Sequence, residues 1–73
     1  MAETNSQARD RITREFETMK SLELSAHDLY TRIATDRSVE PQKVRNVFST
    51  LAKEERQHAD IVQEIINIVA NAL

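Results

Sequence analysis

Apolar residues return along this chain at alternating steps of four and three, the spacing of a seam between packed α-helices. One run reads Ile12, Phe16, Met19, Glu23, Ala26, Tyr30, Ile33. A second reads Val44, Phe48, Leu51, Glu55, His58, Val62, Ile65, Val69, Ala72. Between them, across Thr35-Asp36-Arg37-Ser38-Val39-Glu40-Pro41, the pattern stops. The periodicity predicts helix 1 over about residues 8–35, a loop at about 36–40 and helix 2 over about 39–71, all within one domain, 1–73. Ser38 or Glu40 can cap the second helix, with Pro41 in its first turn, where the missing N–H costs nothing. The first seven residues, mostly polar, are expected to fray.

Two amphipathic helices joined by a short loop form an all-α fold, an antiparallel two-helix hairpin. Leu22, Leu29 and Ile66 widen the apolar surface beyond what one partner helix covers. At 73 residues a single core is also marginal in water. The hairpin is therefore expected to dimerise into a four-helix bundle.

Composition narrows the choice of chemistry. The chain has no cysteine, no glycine and one proline. Disulfides, thiolate zinc sites, thiol catalysis and glycine-rich phosphate loops are excluded. A net charge of −2, with both signs mixed and no basic block, argues against nucleic acid as a partner. No apolar run approaches the roughly 18 residues that read as a membrane span. The polar start, MAETNSQ, lacks the pattern of a signal peptide, so the expected location is the cytoplasm or a compartment filled from it.

Four positions break the two seams: Glu23 and Tyr30 in the first, Glu55 and His58 in the second. A buried carboxylate is costly unless it is protonated, paired or bound to metal. Neither stripe carries a lysine or arginine to pair with Glu23 or Glu55. Glu55 and His58 are three apart and project from one side of the helix. Carboxylate-bridged di-iron and di-manganese sites in bundles take one Glu from each of two helices and Glu-x-x-His from each of the other two. This chain holds one of each, so a homodimer would complete the set. Two copies bring four carboxylates, which two divalent cations neutralise. Iron, manganese and zinc all suit these donors. Tyr30, two turns after Glu23, could hydrogen-bond a ligand carboxylate. His27 lies beside the seam as a partly exposed histidine and an accessory ligand candidate. Glu54 flanks it as a solvated acid, a hydrogen-bond partner for His58 or a second accessory ligand.

Glu23-x6-Tyr30 followed by Glu55-x-x-His58, within "EERQHADIV", resembles the rubrerythrin branch of the ferritin-like superfamily. The half-bundle length is most similar to encapsulated ferritins. The resemblance runs from about Arg11 to Val69 and implies a ferritin-like four-helix bundle built from two chains. It implies a ferroxidase that oxidises Fe²⁺ to Fe³⁺ for iron storage or detoxification. Glu23, Glu55 and His58 would be its iron ligands, with Glu55 bridging and Tyr30 close by. The implied partners are a second copy, a larger ring of copies, and an encapsulating shell or storage partner. Three other readings are open: a metal-binding protein without turnover, a rubrerythrin-like peroxidase, and a purely structural helical oligomerisation module.

Overall fold

The computed structural model describes residues 2–73. It contains two long helices, α1 (Asn5–Ala34) and α2 (Gln42–Ala72), and no strand among the described residues. They form an antiparallel hairpin, and three contacts set its register. Lys20 reaches Gln63, His27 reaches Ala52, and the rings of Tyr30 and Phe48 lie 5.8 Å apart. As numbers rise on α1 they fall on α2.

The helix starts differ from the sequence-based expectation. The segment before residue 8 is helical from Asn5, because Thr4 and Gln7 close a capping box. Gln7 N donates to Thr4 Oγ1 at 3.1 Å, and Thr4 N donates to Gln7 Oε1 at 2.9 Å. Arg11 also grips Glu3 at 2.9 Å. The second helix starts at Gln42 rather than about 39, with Pro41 itself at the N-cap. Ser38 is engaged elsewhere. Its N–H and hydroxyl both donate to Asp36 Oδ1, at 2.9 and 2.6 Å, and tighten the turn that reverses the chain.

The line along which the helices meet also differs from the expected one. On α1 it runs through Phe16, Lys20, Glu23, His27 and Tyr30. On α2 it runs through Phe48, Ala52, Glu55, Ala59, Val62 and Ile66. Six of these eleven are the expected seam residues. The others are the residues one position further along each helix. Ala52, Ala59, Val62 and Ile66 are the fully buried positions, and none is found on α1. Two of these four are alanines, one turn to either side of Glu55. Their small side chains leave room at that level for the longer groups of α1.

Stepping back one residue from each inner position turns about 100° around the helix axis. Because the helices are antiparallel, this turn carries both lines to the same side of the hairpin. That side presents Met19, Leu22 and Leu29 from α1, and Val47, Ile61 and Ile68 from α2, all exposed. The opposite side presents Ser21, Asp28, Lys53, Arg56, Asp60 and Asn67. One face is apolar and the other polar. The hairpin is 57 Å long and 12 Å thick, one layer of helices with no second layer to bury its apolar face.

Candidate metal centre

Glu23, Glu55 and His58 come together midway along the hairpin. Each offers a ligand atom, and these atoms lie within 4.8 Å of one another. Glu23 and Glu55 stand on the inner line, one from each helix. His58 stands on the apolar face, three residues after Glu55. Its Nδ1 is 3.5 Å from Glu23 Oε2 and 3.9 Å from Glu55 Oε2. The carboxylates are largely shielded, with side-chain exposures of 24% and 22%, whereas His58 is 55% exposed. The group therefore opens toward the apolar face and is closed within the seam.

Its electrostatics are unfavourable without a cation. The Glu55 carboxyl is held above the usual carboxylate range, first by a hydrogen bond shared with Glu23. Partial burial and the Glu23 charge add to the shift, while His58 opposes it. When both carboxyls are ionised, Glu23 Oε2 is cut off from solvent and has no hydrogen-bond donor. A shielded acceptor left unpaired, beside a second carboxylate and an imidazole, fits a divalent cation. The residues present suit iron on this ground.

The two accessory candidates, His27 and Glu54, do not join the group. His27 lies on the inner line, where Nδ1 sits 2.8 Å from Ala52 O. This contact fastens α1 to α2 and gives His27 a structural role in the protomer. Glu54 is exposed on the apolar side and stands outside the group. Tyr30, expected beside the ligands rather than among them, packs against Phe48 with ring centroids 5.8 Å apart. Lys20 was missed by the sequence reading, which placed no cation on either seam. It occupies the inner line one turn before Glu23, but Nζ donates to Gln63 Oε1 at 2.6 Å. A lysine stem packs well in a seam while its charged head reaches a polar partner.

The chain is a helical hairpin that gathers two carboxylates and a histidine at mid-length, a group able to hold a metal ion. Residues 16–72 match the rubrerythrin family, and the chain belongs to it. The family lies within the ferritin-like superfamily, whose members bind iron. No curated protein and no solved structure matches the chain. Among the described residues, no helix is long and apolar enough to cross a membrane.

Proposed function

We propose that two copies of this chain lay their apolar faces together, forming a four-helix bundle with a di-iron centre of the encapsulated-ferritin type. The centre acts as a ferroxidase. Each copy supplies Glu23, Glu55 and His58, giving the two Glu and two Glu-x-x-His of a complete bundle site. One observation carries the reading: the shielded, unpartnered Glu23 Oε2 within reach of His58 Nδ1. Three features add support. The group opens on the face that lacks a covering layer, the large exposed apolar side chains Leu22 and Ile61 lie on that face, and the family is one of iron proteins.

Iron is substrate in this scheme. Two Fe²⁺ ions each lose one electron, and dioxygen or hydrogen peroxide accepts the pair. The chain's residues bind and orient the ions and limit water access. Glu23 and Glu55 neutralise charge, and His58 adds a neutral nitrogen donor that distinguishes transition metals from magnesium and calcium. Manganese or zinc can compete for the same donors. A cavity for mineral would need many copies or a separate shell, since a single hairpin encloses none.

The test is aerobic Fe²⁺ oxidation by wild-type protein and by Glu55→Ala. The wild type is expected to oxidise iron faster than buffer, and the variant no faster than buffer. Equal rates for the two proteins would overturn the assignment. Stoichiometric iron binding without oxidation would leave a metal-binding protein in its place.

A further inference from the structure

Lys20 is the one cation of the inner line near the carboxylates. It stands three residues before Glu23, on the same side of α1, and a lysine stem has the length to bring its ammonium to that carboxylate. Glu23 Oε2, shielded and without a donor, is a carboxylate acceptor one turn away on the same side of the helix. Yet among the described residues no ion pair joins them. The ammonium turns instead toward the polar side of the hairpin, to Gln63 Oε1 at 2.6 Å. The Gln63 amide is itself held. Nε2 donates to Asn67 Oδ1 at 2.9 Å, one turn further along α2, which leaves the Gln63 oxygen facing Lys20.

We propose that Gln63, oriented by Asn67, is a positioning residue for the metal group: it holds Lys20 on the polar side and leaves Glu23 free for a divalent cation. The inference rests on the metal-centre reading above. An ammonium at Glu23 would satisfy the orphaned oxygen and repel a second cation, so it would compete directly with metal. A neutral amide suits the holding role. It accepts a hydrogen bond strongly from a charged donor and adds no charge of its own to the seam.

The test uses Zn²⁺, which is redox-inert, titrated calorimetrically into metal-free wild-type protein, Gln63→Leu, Lys20→Met and the double variant. Far-UV circular dichroism checks that each is helical. Gln63→Leu is expected to bind Zn²⁺ about 10–100-fold more weakly, the range seen when groups supporting a ligand are lost. Adding Lys20→Met to Gln63→Leu is expected to restore wild-type affinity, and Lys20→Met alone to bind at least as tightly as wild type. Unchanged affinity in Gln63→Leu would overturn the inference. So would a double variant as weak as Gln63→Leu, since the loss would then come from packing. If Gln63→Leu does not fold, Gln63→Asn withdraws the same acceptor with less change in shape, and the same criteria apply. A wild-type protein that binds neither Zn²⁺ nor Fe²⁺ would overturn the metal-centre reading itself, a result distinct from the two above.

Discussion

Glu23 Oε2 and His58 Nδ1 face each other 3.5 Å apart across the helix pair, and with both carboxyls ionised the oxygen has no hydrogen-bond donor. One atom comes from the inner line of α1 and the other from the apolar face of α2. Their meeting point marks where the seam within the hairpin joins the face left uncovered. Substitution on either side should therefore damage metal binding without unfolding the hairpin. Glu23→Ala and His58→Ala are each expected to reduce Fe²⁺ affinity by about 10–100-fold or more. Far-UV circular dichroism should remain helical. Anaerobic Fe²⁺ binding would measure the loss.

The raised pKa of Glu55 makes the metal-free protein sensitive to pH in a definite direction. A carboxyl whose pKa is higher in the folded state binds its proton more tightly there. Its contribution to stability is complete below the unfolded value and disappears as pH rises through the folded one. The melting temperature of metal-free protein should therefore rise as the solution is acidified from neutral toward the ordinary carboxylate range. Glu3 and Asp36 act in the opposite sense. Arg11 lowers the first and the Ser38 hydrogen bonds lower the second. Their support fades only at lower pH, as they protonate. Glu55→Gln should flatten the near-neutral slope and leave the acid limb in place.

Metal binding should show the reverse trend. Protons compete with a cation for its ligand atoms, so Fe²⁺ or Zn²⁺ affinity should fall as pH falls. Acid should thus stabilise metal-free protein and weaken the metal-loaded form. Parallel melts with and without Zn²⁺ across pH would reveal the crossing trends.

The uncovered face predicts self-association. The melting temperature should rise with protein concentration, and again with metal, because both favour the dimer. Ile61→Lys and Ile68→Lys place charge on that face, at side chains 52% and 64% exposed in the single hairpin. Sedimentation should show both variants shifted toward monomer, with weakened metal binding although neither residue is a ligand. If they sediment as wild type and bind metal normally, the second copy does not cover this face.

The inner line predicts ordinary core behaviour. Ile66→Ala should lower stability by about 2–5 kcal/mol. Ala59→Leu should lower it by about 1–3 kcal/mol, because Ala59 is 2% exposed and has no room to grow. His27→Leu removes the link to the Ala52 carbonyl and should cost about 1 kcal/mol, with metal stoichiometry unchanged. Urea unfolding at fixed protein concentration would measure each.

Helix number, the hairpin and the three metal-group residues could all be read from residue pattern. Carboxylates at Glu23 and Glu55 interrupt apolar lines where helix propensity gives no reason for them, so their chemistry stood out. The phase of the seam did not. Met19 and Lys20, Leu51 and Ala52, His58 and Ala59 are neighbouring pairs in which the larger apolar member or the conspicuous histidine drew the line one residue off, and the identical Ile65 and Ile66 offer no way to choose. Alanine is a weak hydrophobic signal but an effective close-packing residue, and lysine conceals a long apolar stem. His27 and Lys20 were misplaced for a related reason. Their partners are a backbone carbonyl and an amide on the other helix, which periodicity does not encode. The early start of α1 was readable, since Thr4 and Gln7 stand at capping-box spacing. The late start of α2 was not, because it depends on Asp36 drawing Ser38 into the turn.

The most direct measurement is an aerobic titration of metal-free protein with Fe²⁺, following the absorbance of the oxidised product and counting iron bound per chain. A shared di-iron centre predicts rapid oxidation with a break near about one iron per chain, two per dimer. Absence of a break, with oxidation no faster than in buffer, would contradict it.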